Sequence, residues 1–405
     1  MTILTGTRVL DVASYLAAPV AGTMLADFGA DVIKVEAPTG DPYRRLNENP
    51  GMPQTEVEFH WHVTNRNKRG IVLDLQTDAG RSVLYRLIES ADVLITNFTR
   101  PAREKLGLTY EDVAPLNERL IYASLTAYGE SGPEAAKTGF DSTAYWARSG
   151  LMHMVKPEPT AVPARSLPGQ GDHPTGVALF GAIALGLLHR ERTGKGTKVH
   201  SSLIANGVWS NAYFTQSILS GGDAPMRPRR DEMPNALTNH YQCGDQHWFI
   251  LSIVNQEREW PSLVRALERP ELEQDPRFST PAARRENVRA LTEYLDNVFA
   301  TRPWPEWRQR LDAERVTFGT VGTTEDVPHD EQMIASGAIK ATDDPDIGAP
   351  YVVDTPLWVD AAEKAPARAA PGLGANNAEV LKEAGYAESD IAGLRAAGAF
   401  GAAPQ

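Results

Sequence analysis

An α/β fold built on a doubly wound, parallel sheet is predicted by three features of this sequence. Short runs rich in Val, Ile and Leu recur at 8–12, 32–35, 71–75, 93–97 and 121–125, as expected for strands buried on both faces. Helical patterns separate them, as at 79–90, where Val83, Leu84, Leu87 and Ile88 recur at helical spacing. After Ser220 the character of the chain changes, which places a second, smaller domain there.

Taken in order, the five runs are strands of the large, Rossmann-like domain, and a strand-like KVHSSL follows the turn at 192–196. Residues 221–236 concentrate Gly, Pro and Arg and read as a linker or crossover. The stretch 240–253 alternates around Gly244 and Asp245, the signature of a hairpin in an α+β domain. Helical patterns follow at 260–267, 287–299 and 306–312, and the acidic, Pro-containing stretch 343–350 returns the chain to the large domain. The expected division is 1–220 for the first part of the large domain, 221–340 for linker and small domain, and 341–405 for the return.

With 405 residues the chain has ample length for a substantial core and two or three domains. Its net charge of −12, with basic residues scattered among acids, argues against nucleic-acid binding by a basic face. The single cysteine, Cys243, excludes an internal disulfide framework and fits a reducing compartment. No stretch approaches 18 uninterrupted apolar residues, so the expectation is a cytoplasmic protein without membrane spans.

The first strand is followed by Ser14, Tyr15 and Leu16 and not by a Gly-x-Gly-x-x-Gly turn, which removes the usual dinucleotide fingerprint. Neither a phosphate-binding Gly-x-x-x-x-Gly-Lys-Ser/Thr loop nor a Gly-x-Ser-x-Gly elbow is present. His60 and His62 have the spacing of a ligand pair, but no third ligand cluster accompanies them, so they are read as structural or near the pocket mouth, and no metal site is expected. The Trp-rich segment 301–311 reads as a helix start with packing aromatics.

The most informative stretch is 168–203. Asp172 stands in a Gly-flanked turn directly ahead of a long helix whose twelve residues from Val177 to Leu188 carry no charge. Thr175 and Gly176 allow close backbone approach, and a mostly buried helix would offer its free N–H groups and positive dipole end to the carboxylate. An ordinary N-cap gives the same local pattern.

The segment as a whole resembles the family III CoA-transferases (CaiB/BaiF), a group of formyl-CoA:oxalate and carnitine-related CoA-transferases with α-methylacyl-CoA racemase as a side branch. The stretches 7–45, 65–75, 92–108, 139–152 and the closing PGLGANNAEVLKEAGYAESDIAGLRAAGAF fit the same family in the same order. The likeness covers nearly the whole chain and is weakest at about 221–348. It implies a large domain made from both chain ends with the small one inserted, and two subunits interlocked as linked rings.

The resemblance also implies transfer of CoA from an acyl-CoA thioester to a carboxylic acid acceptor, with no prosthetic group. Asp172 matches the family's catalytic aspartate, which forms a mixed anhydride and then an aspartyl-CoA thioester. Asp141 stands where relatives carry an acid beside the reactive centre; it is either a positioning or electrostatic group or the opening of a helix. Tyr15 and Leu16 would flank the thioester, Leu73, Asp74, Leu75, Gln76, Asn97, Phe98 and Thr99 would face the adenosine and pantetheine portions, and Lys105 and Lys137 are candidate phosphate partners. Arg44, Arg45, Lys68 and Arg69 would form a basic rim.

Two departures shape the expected activity. Phe140 replaces the racemase branch's His and has no titratable group, which favours transfer over racemisation. Leu16 replaces a Gln of the formyl-CoA subgroup, which disfavours an acceptor such as oxalate. Arg227, Arg229, Arg230, Asn235 and His240 either meet an acceptor carboxylate or belong to a plain linker. Three activities stay open at this point: intermolecular CoA transfer, isomerisation of an acyl-CoA, and CoA binding without catalysis.

Overall fold

The computed structural model describes residues 2–401. Its chain clusters into two compact units. The first holds the described residues up to Met152, Arg165–Gly222 and those from Gln332 on; the second holds His153–Ala164 and Asp223–Glu331. This division differs from the linear one in two places. Residues 153–164 join the second unit, and the return falls at Gln332, because spatial clustering follows contacts that a change in composition does not mark.

The first unit is built on β1 (Arg8–Asp11), β2 (Asp31–Glu36), β3 (Arg69–Val72), β4 (Val93–Thr96), β5 (Ile121–Thr126) and β6 (Thr197–Ser202). All neighbours pair in parallel, in the order β3-β2-β1-β4-β5-β6. β4 and β5 are buried along their whole length, which explains why they read as unbroken apolar runs. Helix Asp78–Ile88 places Val83, Leu84, Leu87 and Ile88 in the core under the sheet, and Thr77 caps it by accepting from the Gly80 N–H at 3.0 Å.

β3 is an edge strand, and the chain's far end covers part of it. The Gly70 N–H donates to Asn376 Oδ1 (2.9 Å) and the Val72 N–H to Asn377 Oδ1 (2.8 Å). Two side-chain amides thus take the acceptor role that a further strand would otherwise fill.

In the second unit, His240–Gln242 and Trp248–Leu251 form the expected antiparallel hairpin. Phe318–Thr320 adds a third strand that the sequence pattern had not indicated. Its core is aromatic: Phe249 meets Phe299 edge-on at 4.8 Å and stacks on Trp304 at 5.0 Å. Arg230 pairs with Asp296, and its Nε donates to the His240 carbonyl at 2.7 Å; Asn235 caps Leu237. These members of the Arg-rich segment are engaged within their own unit. Among the described residues no helix is long and apolar enough to cross a membrane.

Candidate active site

The strand order reverses between β1 and β4, and the crevice beyond their carboxyl ends is where open sheets of this kind place ligands. Asn97, just past β4, clamps the loop after β1: its Oδ1 accepts from the Ser14 N–H (2.9 Å) and its Nδ2 donates to the Ser14 carbonyl (2.7 Å). The next residue, Tyr15, has φ +61°, a left-handed backbone seldom held by a bulky residue. Its N–H donates to Asp41 Oδ1 at 3.0 Å.

Asp41 belongs to a buried charge net beneath this loop. Lys34 Nζ lies 3.0 Å from Asp41 Oδ2 and 3.9 Å from Asp11 Oδ1, and it also donates to the Ala13 carbonyl. Lys68 Nζ donates to Asp11 Oδ2 (2.8 Å), Asn65 Oδ1 (2.9 Å) and the carbonyls of Pro19 and Thr64. Burial drives the Lys68 ammonium down to about 8 although Asp11 opposes the shift, whereas the Asp11 and Asp41 charges carry Lys34 upward against its own burial.

Asp172 is the first residue of helix Asp172–Thr193, rather than a residue of the turn ahead of it. Gly176 lets this helix approach helix Ala17–Asp27, since a Cβ there would lie 2.7 Å from the Ala17 carbonyl oxygen. Gly171 is equally constrained, because a Cβ would stand 2.6 Å from Cγ of the buried Tyr145 ring. Tyr145 sits in the π-helical turn Asp141–Ala147, and this turn carries Asp141, which is buried. The Asp141 carboxylate accepts from the Ser142 N–H (2.6 Å) and from the Gly171 N–H (3.4 Å), tying it to the residue before Asp172.

Burial pushes the Asp172 carboxyl up to about 7, and the neighbouring charge of Asp141 adds to the rise. Tyr43 is close enough to feel that charge: burial first, and Asp172 in addition, lift its phenol to about 12. Nothing in the sequence marked Tyr43, which sits in the short helical stretch Pro42–Glu48 after β2. Leu16 packs by the turn that leads into Asp172, beside Gly169 and His173.

The other expected contacts divide sharply. Leu73 is buried in the core, so its side chain is not offered to a ligand. Asp74 uses Oδ1 to accept from the Gln76 N–H (3.0 Å), Leu75 is half-buried against the core, and Gln76 is exposed. Phe98 packs on the same core, while Thr99 precedes helix Arg100–Leu106, on which Lys105 is exposed. Lys137 is exposed but pairs with Glu134 at 3.1 Å.

The basic rim needs correction. Lys68 lies in the buried net, Arg69 is shared among Asp31, Glu379 and Glu383, and Arg44 pairs with Glu36 while lying 3.8 Å over the Trp61 ring. Arg45 is the exposed member of that group. His60 Nε2 meets the Arg44 carbonyl at 3.2 Å, and His62 Nδ1 accepts from the Ala370 N–H at 3.0 Å. Two expectations for the site helix also change. The N–H groups of His173 and Thr175 are taken by the carbonyls of Gly169 and Gly171, which leaves fewer donors at its start. Nor is the helix mostly buried, because Leu185 and Leu188 face outward with 69% and 46% exposure.

A half-buried acid at a helix start thus stands beside a second acid, with Leu16 of the loop after β1 packed by the turn that leads into it. The family model for CoA-transferase family III matches residues 4–377. The chain belongs to CoA-transferase family III. It is 30% identical over 392 residues to the cinnamoyl-CoA:phenyllactate CoA-transferase of Clostridium sporogenes, covering 96% of this chain and 95% of that relative. It is 28% identical to the succinyl-CoA:glutarate CoA-transferase of Homo sapiens, over 94% of this chain and 85% of the relative. Among solved structures, a CaiB/BaiF family protein from Brucella suis aligns with a TM-score of 0.84 at 31% identity, covering 95% of this chain and 99% of that one. These family III relatives support CoA transfer as the general activity.

Proposed function

We propose that the protein moves CoA from an acyl-CoA donor to a carboxylic acid, with Asp172 as the covalent nucleophile. The observation that carries this reading is the Asp172 carboxyl, raised to about 7 by burial and by a second acid. A carboxylate of ordinary acidity is a weak nucleophile, and one whose conjugate acid titrates near neutrality is more reactive while still substantially ionised at pH 7.

In the first step an Asp172 oxygen bonds to the thioester carbon and the C–S bond breaks, giving an acyl-aspartyl anhydride and CoA thiolate. The thiolate attacks the aspartyl carbonyl and expels the donor acid as a carboxylate, leaving an aspartyl-CoA thioester. The acceptor carboxylate attacks that thioester and releases thiolate again. Attack of the thiolate on the acceptor's acyl carbon then forms the new acyl-CoA and restores Asp172. No electrons are gained or lost overall. Asp141, fixed by the Ser142 and Gly171 N–H groups, keeps the Asp172 carboxyl basic and is a positioning residue. Phe140 supplies no proton-transfer group, which disfavours racemisation.

CoA itself would approach along the loops after β3 and β4, where Gln76, Asn97 and Thr99 are the accessible members of the expected set, with Lys105 and Lys137 near its phosphates. Two copies would assemble as an interlocked homodimer. Leu185, Trp209, Tyr213 and Leu219, exposed by 69–83%, support this as large apolar side chains that a single chain would present to water.

The test is intact-protein mass spectrometry after incubation with acetyl-CoA, succinyl-CoA and 3-phenylpropanoyl-CoA, with hydroxylamine trapping and peptide mapping. An adduct on Asp172 is expected. CoA binding with no adduct from any of the three would overturn the nucleophile assignment, and a stable monomer in gel filtration would overturn the dimer.

A further inference from the structure

Two aromatic side chains stand beside the acid pair and take no part in the steps above. Tyr15 and Phe140 meet edge-to-face with ring centroids 5.8 Å apart and an interplanar angle of 79°. They stay 41% and 51% exposed. Phe140 directly precedes Asp141, and Tyr15 directly precedes Leu16, which packs by the turn into Asp172.

The placement of Tyr15 is built, not incidental. Its backbone is left-handed at φ +61°, and Asp41 Oδ1 holds it there by accepting the Tyr15 and Tyr43 N–H groups at 3.0 and 2.9 Å, while Asp41 Oδ2 is anchored on Lys34. A fold that keeps a bulky residue in a disfavoured conformation through a buried ion pair holds that ring for a use. Two such rings at right angles present an apolar corner suited to an aryl or branched alkyl group. A second carboxylate on the substrate would need a cation, and Lys34 and Lys68 beneath this loop, like Arg44 after β2, are each committed to a carboxylate of the protein.

We propose that Tyr15 and Phe140 form an aromatic wall that selects carboxylic acids, and their CoA thioesters, bearing a bulky apolar group next to the reacting carbon chain. This rests on the reading of Asp172 as the nucleophile. The experiment compares kcat/KM for 3-phenylpropanoate, propanoate and succinate as acceptors, in the unsubstituted protein and in Tyr15→Asn, Phe140→Ala and Phe140→Leu. Asn tolerates the left-handed backbone, and Phe140 is exposed, so each variant keeps a foldable chain. The unsubstituted protein should prefer 3-phenylpropanoate to propanoate by about tenfold or more. That ratio should fall by about tenfold in Tyr15→Asn and Phe140→Ala, chiefly through KM, and by less in Phe140→Leu. Equal use of the three acids by the unsubstituted protein, or an unchanged ratio in both ring-removing variants, overturns the wall. Failure of the underlying nucleophile reading shows separately, as no hydroxylamine-trapped Asp172 in the unsubstituted protein.

Discussion

Two clusters of charge lie close together in this fold and are built on opposite rules. Beneath the loop after β1, Asp11 and Asp41 face Lys34 and Lys68, two acids against two ammonium groups, all buried. At the start of helix Asp172–Thr193, Asp172 faces Asp141, acid against acid, with no cation among the described residues offsetting its burial. The first cluster spends its charge on holding the backbone. The second keeps one carboxyl poorly compensated and therefore basic, which suits the nucleophile role proposed for it.

Substitutions can break this contrast or sharpen it. The largest effect should come from Asp172→Asn, which should fold yet lose transfer by at least about 10⁴-fold, because an amide cannot form the anhydride. Near-normal steady-state turnover by a folded variant would refute the functional half of the contrast. Asp11→Ala should act in the other direction, on stability: it strands Lys68 and weakens the field on Lys34, at a cost of about 3–5 kcal/mol by urea denaturation. A loss below about 1 kcal/mol would mean that the paired cluster is not structural.

Gly171→Ala should come next. Its Cβ would collide with Tyr145, so stability should drop by about 1–3 kcal/mol, with kcat falling more than CoA affinity as the Asp141–Gly171 contact shifts. The smallest effects concern pH. The Asp172 carboxyl titrates at about 7 in the folded chain against 3.8 for an ordinary carboxyl, so the folded state retains a proton that the unfolded state releases. Stability from this group is therefore full below the lower value and falls as pH rises between the two. Asp172→Asn should remove that slope, gaining about 1–2 kcal/mol over the parent at pH 8, after allowance for solvent screening, and almost nothing at pH 4. Asp141→Asn should lower the pH midpoint of adduct formation by less than about one unit, since burial is the larger cause of the rise and would persist.

The sheet was legible in the sequence because buried parallel strands need continuous apolar runs. The runs at 93–97 and 121–125 match β4 and β5 to within one residue. Asp172 and Asp141 were legible as a pair only through the family likeness, since their neighbourhood depends on a contact across thirty positions, from the Gly171 N–H to Asp141. Charge was the poorest guide. Lys68, Arg69 and Arg44 read as a basic rim, but a linear sequence shows a cation without its partner, and two of the Arg69 partners lie more than three hundred residues away. Tyr43 left no signal because its place near Asp172 comes from the folded packing and not from any spacing.

The two asparagines that cover β3 have a consequence for how the molecule is made. Gly70 waits for Asn376, which lies 306 positions downstream. At about 5–20 residues per second, a ribosome needs roughly 15–60 s to supply it. Throughout that interval the nascent sheet carries an open edge able to recruit a strand from another chain. Truncation ahead of Asn376 should therefore turn a passing hazard into a permanent tendency to aggregate.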